Sequence, residues 1–376
     1  MKSKVFAIDM RASDKENMLQ KLDKLVEALN LGDGLKARDL VAVKLHFGEK
    51  GNTSFVRPIY VRRVVDKVAA LGAHPFVTDA NTLYVGTRTN SVQHLRTAVE
   101  NGFAYSVVGA PVTIADGLRG NSATAVPINL EHIKTAYIGS DVADADGYIG
   151  VAHFKLHEVA GIGGAIKNTG MGCAARRGKM AQHADITPKI KTKKCIGCGE
   201  CEAHCAHGAA VLVEVEGKKK AHIDPDKCVG CAECVAVCPT GAAQVQWSAS
   251  VPMLMKKMVE YTAAVLKGKK KKAFFINFLT QISPACDCHP HADAPLVRDI
   301  GILASTDPVA IDQASIDLVN QEPALPGTCL TVNREAGADK VRGVYNYIDW
   351  TIQLDYAQQI GLGTRDYELE WLPNKT

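Results

Sequence analysis

Eight of the twelve cysteines fall into two copies of one pattern, Cys195-x2-Cys198-x2-Cys201-x3-Cys205 and Cys228-x2-Cys231-x2-Cys234-x3-Cys238-Pro239, offset by 33 residues. No other feature restricts the fold so tightly. Three thiolates separated by two residues each let one tight loop reach three corners of a cube, while the fourth cysteine sits a helical turn further on and points elsewhere. This is the ligand spacing for two cubane 4Fe-4S clusters, with the fourth ligands exchanged between halves. The spacing predicts one cluster on Cys195, Cys198, Cys201 and Cys238 and a second on Cys228, Cys231, Cys234 and Cys205. Paired C-x2-C motifs also serve structural zinc. Zinc sites would use the thiolates in pairs, whereas each half here offers a triplet and a distant fourth.

The cysteine segment, residues 190–246, closely resembles bacterial ferredoxins. Those usually carry proline after the fourth cysteine of both halves, and here Ala206 stands where the second half has Pro239. Proline ligates nothing, so the change touches chain stiffness and leaves the ligand count intact. Val211 to Glu216 and Ala221 to Ile223 flank Gly217, a hairpin signal. So small a segment has too little core to fold without its clusters.

On either side the pattern changes to alternating strands and helices. Asp39 to Leu45 reads as a buried strand, Pro58 opens a periodic stretch to Leu71, and Pro75 to Thr78 reads as the next strand, together a βαβ unit. Further strands are expected at Ile133 to Ile138, Gly147 to Lys155, Ala273 to Leu279 and Gly301 to Ala304. Helices are expected near Asp14 to Asn30, Ser91 to Asn101, Met253 to Lys267 and Pro308 to Asn320. The predicted fold class is therefore α/β, a mostly parallel layered sheet, with an inserted α+β two-cluster ferredoxin-like domain. The expected boundaries are 1–189 and 247–376 for the two parts of the α/β domain and 190–246 for the insert.

With 376 residues and 47% hydrophobic content, the chain has enough material for a sizeable core. The formal charge of +4 is roughly cancelled by two cubanes at about −2 each when oxidised. The lysine runs 218–220 and 269–272 fall where turns are expected and read as solvated loops, so no nucleic-acid partner is predicted. No apolar stretch approaches membrane-spanning length, and no membrane insertion is expected. The start shows one short apolar run, Val5 to Ile8, followed by Asp9 and Asp14, with no secretory signal. Triplet cysteine spacing then favours a reducing cytoplasm, in a host that tolerates exposed clusters, such as an anaerobe.

Ligands of open α/β sheets bind at the carboxyl ends of the strands. Lys44 and His46 share one face of a strand tip, Asp79 and Asn81 end the next, and His153, Lys155 and His157 form a third polar face. Each histidine alone reads as a hydrogen-bonded or surface residue, but their joint position at successive strand ends points to a site. The segment from Gly161 to Lys179 fails both the dinucleotide fingerprint and the P-loop pattern. What survives is a glycine backbone beside Lys167, Arg176, Arg177 and Lys179 that could cradle an anion at a helix start, or form a plain turn. If a helix begins near Ala174, its dipole and these cations would lower the pKa of Cys173. A turn between Pro284 and Pro290 can aim Cys286 and Cys288 inward, and with Cys173 they could hold an additional metal ion, the alternative being buried or free thiols. Cys329 reads as a packing residue. The expected reaction centre comprises Cys173, His46, His157 and Lys167, with an anionic small molecule as its ligand.

Together these segments resemble the Domain of Unknown Function 362 family, the bacterial and archaeal Fe-S centre proteins with a ferredoxin insert. The likeness rests on Lys44-Leu45-His46-Phe47-Gly48-Glu49, on His153 to Glu158 continuing to Cys173, on Arg177 to Lys179 with Gln182 and His183, on Asp287-Cys288, and on Asp299 to Asp312. It implies an α/β domain plus clusters and supplies no reaction. The residues support an iron-sulfur redox protein, for example a ferredoxin-linked oxidoreductase, whose two 4Fe-4S clusters exchange electrons with a site in the α/β domain. The redox partner would be a protein such as a ferredoxin or an oxidoreductase. The alternatives are a non-catalytic electron carrier or adaptor, and a metal- or cluster-handling protein.

Overall fold

The computed structural model describes residues 2–84, 86–183, 187–246 and 250–375. Its centre is an eight-stranded sheet built from β1 (Ser3–Asp9), β2 (Leu40–Lys44), β3 (His74–Asp79), β4 (Val112–Ile114), β5 (Gly147–His153), β6 (Ala273–Leu279), β7 (Gly301–Ser305) and β8 (Tyr367–Trp371). The strands lie in the order β8-β1-β7-β6-β5-β2-β3-β4. Every neighbouring pair is parallel except those that β7 makes with β6 and β1. The fold is thus α/β with a mostly parallel layered sheet, as the sequence predicts.

The central strands β5 and β6 are buried along their whole length, which is why they read as continuous apolar runs rather than alternating ones. Successive residues feed opposite layers. Val41 and Val43 join the apolar core on one face with Ile149 and Val151, while Ala42 and Tyr148 join the core on the other. Helices cover both faces. Pro58–Ala70 starts on proline and buries Tyr60, Val61, Val64, Val65 and Val68, and Met18–Ala28 opens with a capping box between Asn17 and Gln20. Among the described residues no helix is long and apolar enough to cross a membrane.

Three expectations need correction. The strand near Ile133 to Ile138 is Thr135–Gly139, and it leaves the central sheet to pair antiparallel with Ala123–Pro127. The strand expected to run to Lys155 ends at His153, and Lys155–His157 forms its own pair with Gly161–Gly163. Lys218–Lys220 lie on the hairpin strand Lys218–Ile223 rather than in a turn, because the reversal is made by Glu216 and Gly217, both at positive φ.

Within residues 187–246, Lys189–Ile190 pairs antiparallel with Ala243–Gln244 and brings the two ends of the cysteine segment together. The expected junction at 246 and 247 runs into residues 247–249, which lie outside the described residues. Glu233 fastens this segment to the sheet layers: its carboxylate accepts from Arg176 Nη1 at 3.0 Å, Asn121 Nδ2 at 3.3 Å and Arg119 Nη1 at 3.4 Å. Arg176 and Glu233 are both buried, and Leu83 and Met180 pack against Ala232, Val235 and Val245 beside them. Removing the carboxylate leaves a buried guanidinium uncompensated, so Glu233→Ala is expected to lower stability by about 3 kcal/mol. Anaerobic urea unfolding checks this, and a loss below about 0.5 kcal/mol, the range of an exposed pair, would contradict the tie.

Candidate functional site

A cavity of about 890 Å³ opens at the carboxyl ends of β2, β3 and β5, the edge where parallel α/β sheets bind ligands. Lys44 and His46 from the end of β2, Asp79 from β3, and His153, Lys155 and His157 beyond β5 line it together with Lys167, Lys179, Cys286 and Cys288. Three of the four residues expected in the reaction centre, His46, His157 and Lys167, are therefore brought together, and Cys173 is not.

The charges on its walls are paired. Lys44 Nζ donates to Asn168 Oδ1 at 2.6 Å and lies 3.3 Å from Asp79 Oδ1. Gly172 is required here, since a Cβ would stand 2.2 Å from the Asn168 backbone oxygen as well as 2.0 Å from Lys44 Nζ. Arg88 Nε donates to Glu49 at 3.1 Å and its Nη2 to the Tyr84 hydroxyl at 3.1 Å. Asp287 is the hub. Oδ1 lies 2.8 Å from His153 Nδ1, Oδ2 accepts from Lys155 Nζ at 2.6 Å, and Ser54 Oγ donates to Oδ1 at 3.2 Å. Burial works against its charge, but His153 and Lys155 hold its carboxyl below the usual carboxylate range.

On either side of Asp287, Cys286 and Cys288 turn to the cavity. Lys167 Nζ donates to Cys286 Sγ at 3.4 Å, as does the Cys288 N–H at 3.4 Å. A hydrogen bond from the Cys288 thiol, followed by Lys167 and His157 acting against burial, holds the Cys286 thiol well below its ordinary value. Lys167 is in turn kept charged, its burial outweighed by Cys286, Cys288 and Glu158. His157 Nδ1 accepts from the N–H groups of Val159 and Ala160 at 3.0 Å each, which leaves Nε2 to carry the proton and donate. His46 Nδ1 likewise accepts from Gly48 N at 2.9 Å, and burial, then Arg88, push its pKa well down.

Cys173 departs from expectation. The helix that follows begins at Arg176, and Cys173 N bonds Thr169 O at 3.0 Å, so the cysteine closes the last turn of Ala165–Gly170 and meets the wrong end of a helix dipole. It packs on the Tyr148 hydroxyl at 3.6 Å, and burial pushes its thiol up despite Lys44. Among the described residues no three His, Cys, Asp or Glu side chains converge on one metal ion, so the additional metal ion expected on Cys173, Cys286 and Cys288 has no formed site. The anion cradle is also corrected. The N–H groups of Ala165 and Ile166 are taken by Asp312 at 2.7 and 2.9 Å, Arg176 turns to Glu233, and Arg177 lies over the Tyr137 ring. Of the four cations only Lys167 and Lys179 face the cavity. Cys329 is exposed rather than packed.

Two smaller cavities lie in the cysteine segment. One is lined by Cys195, Cys198, Cys201 and Cys238, the other by Cys205, Cys228, Cys231 and Cys234. Backbone N–H groups aim at the fourth cysteine of each repeat: Ala209 and Ala210 at Cys205 Sγ, 3.2 and 3.4 Å, and Ala242 and Ala243 at Cys238 Sγ, 3.2 and 3.5 Å. Against burial, these donors bring both thiols below their ordinary value.

A family model described as "Domain of unknown function (DUF362)" matches residues 41–317. No curated protein matches the chain. Among solved structures it is similar to the lactate racemase apoprotein of Thermoanaerobacterium thermosaccharolyticum, at 11% identity and a TM-score of 0.39, over 86% of this chain and 59% of that one. The chain thus spans less than two thirds of that protein's length.

Lys179 supplies a test of the cavity's electrostatics. Burial, only partly offset by Asp116 and Asp79, pulls its pKa down from 10.5 to about 8. The unfolded chain therefore binds this proton first as pH falls, and stability is lost between pH 10.5 and about 8. Lys179→Met is expected to remove that loss, making the urea midpoint flatter over this window than in the parent protein. Parallel profiles for the two proteins would refute the burial of a neutral amine.

Proposed function

Because the chain belongs to the DUF362 family, whose description names no reaction, we propose a function from its own side chains: an iron-sulfur redox protein that exchanges electrons between its cysteine segment and the cavity of the α/β layers. The observation that carries this reading is the partition of eight cysteines around two cavities, each set drawing three thiols from one repeat and one from the other. That is the crossed pattern of two-cluster ferredoxins. The N–H donors at Cys205 and Cys238 fit a group that needs thiolates, since hydrogen bonds to sulfur stabilise the charged form. Two 4Fe-4S clusters bound there would supply single-electron transfer.

The chain's own residues divide the remaining work. Leu83 lines the large cavity and packs with Met180 against the loop holding Cys231 and Cys234, so the second cysteine set adjoins the cavity through apolar contacts. The loop of the first set reaches solvent at Cys198, which is exposed, and at Ile196, 67% exposed, while Cys195 and Cys201 are buried. Exposed Lys191, Lys193, Lys194, Lys218 and Lys219 belong to the segments flanking it, which suits an acidic one-electron carrier, a ferredoxin or an oxidoreductase, as partner. In the cavity Lys167 and Lys179 would hold an anionic small molecule, with His46 and His157 presenting Nε2–H groups to it. A bare carrier or adaptor has no use for these buried, mutually paired groups.

Anaerobically purified protein is expected to contain about eight irons and to show coupled paramagnetic signals on reduction. Stoichiometric zinc without iron would end this reading. Cys205→Ala should impair the cluster otherwise held by Cys228, Cys231 and Cys234, and impairment confined to the other cluster would refute the crossing.

A further inference from the structure

The turn between Pro284 and Pro290 is closed by His289 N bonding Cys286 O at 3.0 Å; Asp287 is drawn inward to His153 and Lys155, and both cysteines line the cavity. Cys288 folds back on Cys286, its N–H donating to Cys286 Sγ at 3.4 Å. Facing Cys286 are Lys167, His157, His46 and Glu158, with Tyr84 and Tyr345 further out.

We infer that Cys286 and Cys288 are a redox couple, cycling between a dithiol and a disulfide with each other, and that the cavity admits a small disulfide as its oxidising substrate. The geometry gives the cysteines unequal roles. Lys167 Nζ and the Cys288 N–H both donate to Cys286 Sγ at 3.4 Å and stabilise negative charge there, which makes it the attacking sulfur. Cys288 keeps its proton and stands beside Cys286 as the resolving thiol. Acyl transfer or hydrolysis would use one thiol, whereas attack on a sulfur–sulfur bond needs a second to release the product.

The Cys286 thiolate attacks one sulfur of R–S–S–R, forming a mixed disulfide and expelling one RS⁻. Cys288 passes its proton to the RS⁻ expelled in the first step and attacks Cys286 Sγ, forming the internal disulfide and expelling the second RS⁻. Two electrons and one proton then restore the Cys286 thiolate and the Cys288 thiol. The reductant is a one-electron donor of the iron-sulfur class, so this last step rests on the function proposed above, while the exchange steps do not.

The test uses reduced full-length protein, kept anaerobic, with bis(2-hydroxyethyl) disulfide as probe, then acid quenching, alkylation and peptide mass analysis. The parent protein should yield a peptide holding Cys286 and Cys288 that is lighter by two hydrogens and closed to alkylation. Cys288→Ala should stop at a mixed disulfide on Cys286, and Cys286→Ala should leave Cys288 unreacted. In the parent protein Cys286 should alkylate at neutral pH faster than Cys288, and Lys167→Met should slow it about tenfold. Both thiols alkylated after the probe, with no bridge and no adduct, would overturn the couple, as would equal alkylation of the two cysteines in the parent protein, a result that depends on no variant folding. Iron content is read on the same samples. A bridge without iron removes the proposed electron source and leaves the couple standing, while iron without a bridge overturns the couple alone.

Discussion

Asp287 holds the site together. Its carboxylate is buried, and a buried charge persists only where partners replace the water it has lost. His153 at the end of β5, Lys155 just beyond it and Ser54 supply them, and Glu49 N, bonding Asp287 O at 2.9 Å, adds a fourth partner. A turn far along the chain is thereby pinned against two strand ends, which turns both flanking thiols toward one space. Replacing the carboxylate would leave a lysine and a histidine facing each other without a counter-charge.

Much of this was legible in the sequence, and for a physical reason. Strands buried on both faces read as apolar runs, so the first polar residues at their ends stand out; Lys44, His46, Lys155 and His157 were found this way. Cys286 and Cys288 were found because prolines on both sides announce a turn. The failures come from contacts that no local pattern encodes. A shift of two residues in a helix start moved Cys173 from the positive end of one helix to the negative end of another. The glycine turn at 161–164 looked ready for an anion, but Asp312, some 150 residues away in the chain, already fills it. Arg88 was missed altogether, since it lies in an irregular segment between β3 and the helix Ser91–Glu100, and only the folded chain brings it to Glu49 and Tyr84.

The cysteine segment is tied into the α/β layers by one buried ion pair and a small apolar cluster, and those contacts fall on the face nearest the cavity. The helix Arg176–His183 supplies Arg176 and Met180 to that interface and Lys179 to the cavity wall. On the far side of the segment, Val251, Leu254 and Met258 of the helix Val251–Leu266 line the same cavity. The two stretches flanking the cysteine segment are thus two walls of the site, so its position and the shape of the cavity are mechanically linked.

The cavity is assembled from residues between Lys44 and Pro290, and that sets an order on its birth at the ribosome. Synthesis runs from the amino terminus, and domains fold as they emerge. The eight clustered cysteines leave the exit tunnel before Cys286 and Cys288, so the two sets around the small cavities are on hand before the paired thiols emerge. The edge of the sheet closes later still, since β1 waits for β7 and β8 across some 300 residues of chain, a sequence separation that makes its pairing the slow contact of this fold.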